Sequence, residues 1–203
     1  NLTQTLMNLI IQNYLENIKA ICPKLTDEAL ILLSSKIEIL ELHPKENFIE
    51  ADVLQKSIGY IYSGLLRAFY INEKGEDITV NFIDEKKLVV HLDALNKKKP
   101  SKFSFQAIEP SIILNIPIDH LEYCTEKYPL FEKYLRIMLE QIYSRMFNRL
   151  EALLDENAEE RYLNFVEEFP TMYNRVTISH LCTYLGITRQ SLTRIRKNIN
   201  EGK

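Results

Sequence analysis

Arg189, Gln190 and Arg194 are the residues whose types and spacing point to the most specific chemistry in this chain. Guanidinium forks and a carboxamide are groups that hydrogen-bond bidentately to base edges in a DNA major groove. In a helix begun after Thr188, 100° per residue spreads Arg189, Gln190, Thr193, Arg194 and Lys197 across one side. Leu192, Ile195 and Ile199 then fall on the other. Thr188 suits the cap of that helix, its hydroxyl accepting an orphan backbone N–H.

Such side chains need a support. Just upstream, Ile178, Leu181, Cys182 and Leu185 follow the i, i+3, i+4, i+7 spacing of one buried helical face. Gly186 comes next, where a sharp turn between two helices takes a residue that tolerates positive φ. The pattern predicts a helix-turn-helix over residues 177–197. Charge agrees with it. The chain carries −3 overall, but residues 177–203 carry +4 and the remainder −7. A basic end on an acidic body suits contact with a polyanion at that end.

With 203 residues, 46% of them hydrophobic and few Gly or Pro, the chain has the composition of a folded protein. It is long enough for one large domain or two small ones. No apolar run approaches the roughly 18–20 residues of a membrane span. The N-terminus lacks the basic stretch and small-residue cleavage site of a signal peptide. These features predict a cytoplasmic protein without a membrane partner. Cys22, Cys124 and Cys182 are odd in number and widely spaced, as befits reduced thiols, and Cys182 reads as core. The sequence contains no Gly-x-Ser-x-Gly elbow, phosphate-cradling glycine loop or His-Glu-x-x-His, so an enzyme is not expected.

Residues 2–21, apolar at Leu2, Leu6, Leu9, Ile10, Ile18 and Ile21, read as a helix interrupted by Pro23. Thr26 caps a short helix over 27–35, with Leu30 and Leu33 inward. Short strands follow at 37–42, 57–63, 65–71, 78–83, 103–108 and 112–116. Gly64 makes a tight turn between the second and third of these, and 72–77 is a polar hairpin loop. Many short strands without intervening helices mean a sandwich or barrel. From Pro129 to Leu154 there is no Gly and no internal Pro, which predicts a helix of about 25 residues, near 38 Å long. One small barrel cannot cover it. It is expected to form a two-fold dimer seam, with Tyr134, Ile137, Met138 and Ile142 on its apolar stripe. A further helix opens at Glu159 and is ended by Pro170; Glu159 and Glu160 form a solvated face.

The arrangement resembles the Crp/Fnr family of bacterial transcription regulators, over about residues 23–200. Two stretches carry the resemblance. Gly59-Tyr-Ile-Tyr-Ser-Gly-Leu-Leu-Arg-Ala-Phe-Tyr-Ile-Asn-Glu-Lys-Gly-Glu-Asp-Ile78 looks like the central hairpin strands of the cyclic-nucleotide-binding jelly roll. Residues 176–197 align without a gap to the family's helix-turn-helix. The resemblance implies an α+β fold. An N-terminal jelly roll, or double-stranded β-helix barrel, would be the sensory domain over 1–127. A dimerisation helix over 128–155 and a winged helix-turn-helix DNA-binding domain over 156–203 would follow. Six residues follow Lys197, so the wing is expected to be reduced. The implied partners are a second copy of the chain and a palindromic double-stranded DNA operator, read in the major groove at each half-site. A small-molecule effector and RNA polymerase are open as further partners. The family's Arg-Glu…Arg reading pattern falls on Arg189, Gln190 and Arg194, where Gln in place of Glu suits adenine better than cytosine. Thr188, Ser191 and Thr193 are expected phosphate contacts, and Lys197 a further DNA contact.

The effector is less legible. Cyclic-AMP-binding members use a Gly-Glu pair and an Arg about ten residues later. The corresponding stretch, residues 84–104, opens without glycine. His91 falls near the Glu position, Ser101 near the Arg position, and Lys102 beside it; these are the candidate effector-pocket residues. Cyclic AMP is disfavoured, because a buried phosphate without a cationic partner is costly. An iron–sulfur cluster of the family's type needs four cysteine ligands, and three scattered ones disfavour it. Haem stays open, since one His with a Met, Cys or second His suffices; His43, His91 and His120 are nominal ligands. No other metal site is expected. The competing functional reading is a dimeric small-molecule-sensing module that has lost DNA binding.

Overall fold

The computed structural model describes residues 4–201. The chain opens with α1 (Gln4–Ile21) and α2 (Asp27–Ser34), and Thr26 caps α2 by accepting from the Ala29 N–H at 3.3 Å. The strands are β1 (Glu38–Leu42), β2 (Asn47–Ile49), β3 (Ser57–Ser63), β4 (Leu66–Ile71), β5 (Asp77–Ile83), β6 (Leu88–Val89), β7 (Ser104–Ala107) and β8 (Ser111–Pro117). A short helix, α3 (Leu92–Asn96), lies between β6 and β7. The rest is helical: α4 (Ile118–Lys127), α5 (Leu130–Asp155), α6 (Ala158–Glu168), α7 (Pro170–Tyr173), α8 (Ile178–Leu185) and α9 (Arg189–Asn200).

Two four-stranded antiparallel sheets, ordered β1-β8-β3-β6 and β2-β7-β4-β5, make the expected jelly roll. The pairing is non-local: Leu40 sits opposite Ile113, and Tyr60 opposite Leu114. Gly64 does not close a hairpin, because β3 and β4 belong to different sheets. It carries the chain from one sheet to the other at φ +104°, so close to Ser111 that a Cβ would stand 2.2 Å from the Ser111 hydroxyl. The local hairpin is β4–β5, whose loop is tied by Asn72 Oδ1 accepting from the Lys74 and Glu76 N–H groups. β2, β6 and α3 were not expected; with 3, 2 and 5 residues they are too short to show a period.

Alternation along the strands separates the cores. Ile58, Tyr60, Leu114 and Ile116 face α1, α2, α4 and the start of α5. Ile61 and Ile113 point between the sheets, with Leu66, Ala68, Val89 and Phe105. That interior is filled: a Cβ at Gly59 would come 2.8 Å from the Phe48 ring. A third core joins Leu65 and Phe82 of the barrel to Tyr162, Phe165, Leu181, Leu185 and Leu192 of the C-terminal helices. The barrel and the helix-turn-helix therefore share one apolar cluster.

Several local expectations shift. α1 buries Ile10, Tyr14 and Ile18, whereas Leu6 and Leu9 are exposed; Leu2 lies outside the described residues. Pro170 starts α7, a position where its missing N–H costs nothing. Among the described residues, no helix is long and apolar enough to cross a membrane.

Candidate nucleic-acid interface

α8 and α9 build the helix-turn-helix. Thr177 caps α8 by accepting from the His180 N–H at 3.2 Å. Gly186 ends it in the left-handed region, at φ 66° and ψ 37°. Thr188 caps α9, accepting from the Ser191 N–H at 3.0 Å. Leu181, Cys182 and Leu185 meet Leu192 and Ile195 in the C-terminal core. Ile178 and Ile199, expected inward, sit at helix ends and are 50% and 38% exposed.

On the outer side, Thr188, Arg189, Gln190, Thr193, Arg194 and Lys197 are exposed and Ser191 is half-buried. Two hydroxyls spend their protons internally: Thr188 Oγ1 donates to Ser191 Oγ, and Thr193 Oγ1 to the Arg189 carbonyl, each at 3.0 Å. Ser191 accepts from Thr188 and keeps its own proton. Lys197 lies 3.7 Å from Glu201, an exposed pair that holds it loosely.

Behind this surface, α8 docks on β5. The Thr79 N–H donates to Thr183 Oγ1 at 3.1 Å, and the Phe82 and Tyr184 rings meet at 5.0 Å. Arg149 of α5 donates to the carbonyls of Val80 and Tyr184, its guanidinium 4.2 Å from the Tyr184 ring centroid. Arg175, just before α8, donates to Glu85 at 2.7 Å and Glu109 at 2.5 Å. The Glu109 bonds, then those to Glu85, push the Arg175 pKa up. Burial raises the Glu85 carboxyl, but Arg175 and the Gly64 N–H together bring it below its usual value. Arg67, buried on β4, takes Asp77 bidentately at 2.5 and 2.7 Å and also Gln106. Burial, then the Arg67 charge, lowers the His180 pKa against the opposing pull of Asp77; His180 Nδ1 is buried and unpartnered. Sequence reasoning missed Arg67, Arg149, Arg175 and His180. Nothing local marks them; the partners of Arg175 lie 66 and 90 residues away.

The three candidate effector residues do come together. His91 Nδ1 stands 3.0 Å from Ser101 Oγ, and the His91 ring meets Phe103 at 5.0 Å. Lys102 Nζ lies 5.5 Å from the Tyr70 ring centroid. Ser101 is buried and donates to the Phe103 carbonyl at 2.6 Å, so His91 donates to it through Nδ1. Burial lowers the His91 pKa and favours the neutral ring. His91 and Ser101 turn their polar atoms on one another, while Lys102 stays exposed over the Tyr70 and Phe103 rings.

Cys22 and Cys124 lie in the helix-side core and Cys182 in the C-terminal core, all as free thiols. A family-type iron–sulfur cluster needs four thiolates, and these residues do not fit one. His120 Nε2 is engaged with the Leu32 carbonyl at 2.9 Å, and His43 is exposed. Among the described residues, no group of three or more His, Cys, Asp or Glu is placed to hold a metal ion.

The helix expected to be a dimer seam has two faces. Tyr134 and Met138 are buried in their own chain, where Tyr134 meets Tyr14 of α1 at 6.5 Å. Ile142 packs on the same core, and Ile137 is half-buried. Tyr134 and Met138 are thus covered within their own chain, while Ile137 and Ile142 stay partly exposed. The opposite face, with Tyr143, Met146, Phe147, Leu150 and Leu154, is exposed. At 100° per residue these fall in one stripe.

The architecture is thus a jelly roll joined through a long helix to a helix-turn-helix. No protein-family profile matches the chain. It is 30% identical over 151 residues to the anaerobic regulatory protein of Haemophilus influenzae, an alignment covering 68% of this chain and 58% of that protein. The chain thus spans less than two thirds of the length of the curated relatives it matches. A Crp/Fnr-family transcriptional regulator structure from Eubacterium rectale superposes with a TM-score of 0.72 at 15% identity, covering 92% of this chain and 89% of that one. FixK2 from Bradyrhizobium japonicum gives 0.68 at 15% identity, with 82% and 86% covered. By sequence the chain is similar to the anaerobic and fumarate and nitrate reduction regulatory proteins, and its fold is that of the Crp/Fnr-family structure.

Proposed function

We propose that this chain is a sequence-specific, DNA-binding transcription regulator that works as a cytoplasmic homodimer on a palindromic operator and catalyses nothing. The observation that carries this reading is the two-sided α9, with Leu192 and Ile195 buried while Arg189, Gln190, Arg194 and Lys197 stand free of the core. Arg189 and Arg194 would take guanine O6/N7 or phosphate, Gln190 would suit adenine, and Ser191 and Lys197 would hold phosphates. The domains divide at residues 127 and 155. The exposed stripe of α5 through Tyr143, Phe147, Leu150 and Leu154 would join two copies. An effector other than cyclic AMP fits better, because apolar side chains fill the barrel interior and His91, Ser101 and Lys102 offer no ready phosphate cradle. RNA polymerase would be the further partner of such a regulator.

Selection from random DNA duplexes tests this reading. A palindromic consensus is expected, bound with an affinity that falls steeply as salt rises. Recovery of no consensus from a folded dimer would instead support the sensing module without DNA binding.

A further inference from the structure

The inward face of α5 changes character along its length. Its first turns bury Phe131, Tyr134 and Met138 in apolar core. At helical spacing the same face then presents Arg145, Arg149 and Glu156. These three line a cleft of about 350 Å³ between β5, α5, α6 and α8. Phe82, Phe165 and Tyr184 supply aromatic wall.

The arginines here are short of partners. Arg149 spends its terminal nitrogens on two backbone carbonyls, and its Nε is buried without a hydrogen bond. Among the described residues, no carboxylate forms an ion pair with it. Arg145 Nε is likewise buried without a hydrogen bond, while its Nη1 forms a long ion pair with Asp84 at 3.8 Å and Glu168 also acts on its charge. Burial pulls the pKa of both arginines down. For Arg149, a guanidinium taken out of water without a counter-charge is costly, and an anion placed against it offsets that cost. Glu156, whose Oε2 is also unpartnered, sits seven residues beyond Arg149, roughly 10 Å along the helix. The cleft therefore has two arginines at one end, aromatic sides and an acceptor at its far end, with Arg161, Glu167 and Glu168 completing its charged lining.

We propose that this cleft binds a small aromatic oxyanion, a carboxylate or a phosphate ester, with its anionic group on Arg145 and Arg149 and a hydrogen-bond donor directed at Glu156. Arg149 bonds a barrel carbonyl, that of Val80, and a helix-turn-helix carbonyl, that of Tyr184, so a ligand on it bears on how the two parts are held. The cleft lies on the opposite side of α5 from the exposed apolar stripe, so a dimer joined by that stripe leaves it open. The regulatory consequence rests on the proposed DNA-binding function; the site itself does not.

Titration calorimetry on the full chain without DNA tests the site, with 4-hydroxybenzoate and phenyl phosphate as probes and 4-hydroxybenzamide as the neutral control. Saturable binding of at least one anion at millimolar concentration is expected, and none of the amide. Which anion binds separates a carboxylate from a phosphate ligand. Arg145→Met, which removes no backbone hydrogen bond, should weaken binding roughly tenfold. Arg149→Lys should retain more affinity than Arg149→Met. No saturable binding of either anion to folded protein, or equal binding by the amide, or binding unchanged in Arg145→Met, would overturn the proposal. DNA affinity is measured separately: anion binding with no DNA binding keeps the site and refutes the regulator.

Discussion

Arg175 Nη2 stands 2.7 Å from Glu85 Oε1, joining the segment that leads into the helix-turn-helix to the loop that leaves β5. The same guanidinium takes Glu109 from the β7–β8 turn at 2.5 Å. One side chain thus fastens the helix-turn-helix to two loops of the barrel. All three side chains keep some solvent contact, which screens the pairs.

Arg175→Met is expected to lower the free energy of unfolding by about 1–2 kcal/mol, read from urea denaturation. Acid should remove the same stabilisation. The Glu85 carboxyl titrates below its unfolded value, so its contribution is present at neutral pH and lost as pH falls below about 4.5 toward the folded value. An unchanged urea midpoint in the variant would show that the latch contributes nothing.

His180 adds a second pH response in a milder range. Its folded pKa is lowered by burial and by Arg67, so the neutral ring is the stable form. Its stabilisation is complete above the unfolded value, about 6.5, and declines as pH falls below it. His91 is lowered too and declines in the same direction. The thermal midpoint should therefore drop between about pH 7 and pH 5.5, and less so in His180→Asn. Identical slopes in wild type and variant would remove His180 from this account.

The two faces of α5 predict opposite outcomes. Leu150→Glu lies on the exposed stripe and should give a folded monomer in analytical ultracentrifugation. Met138→Glu places a charge in the chain's own core and should cost folding itself, by about 3 kcal/mol or more. A dimer that survives Leu150→Glu together with Tyr143→Glu would place the interface elsewhere.

How much could be read in advance depended on how local the physics was. Gly186, Thr188 and the Leu181/Leu185 and Leu192/Ile195 spacings specify the helix-turn-helix through short-range rules, and the structure matches them. Gly64 marked a turn, but which sheet each flanking strand joins depends on β8, far along the chain. Tyr134 and Met138 show a face that buries something; that α1 rather than a second copy covers it is a tertiary fact. Arg67, Arg149 and Arg175 carry no pattern at all, and acquire their roles from partners brought close by the fold.

The central claim is that α9 reads bases. Fluorescence anisotropy of the selected operator, titrated with wild type, Arg189→Ala and Arg194→Ala, tests it most directly. Each substitution should cost about 1–3 kcal/mol per half-site on the cognate duplex, while affinity for an unrelated duplex changes far less. Both proteins should remain folded dimers, since neither side chain enters the core. Unchanged cognate affinity in both variants would contradict the assignment of α9 as the recognition helix.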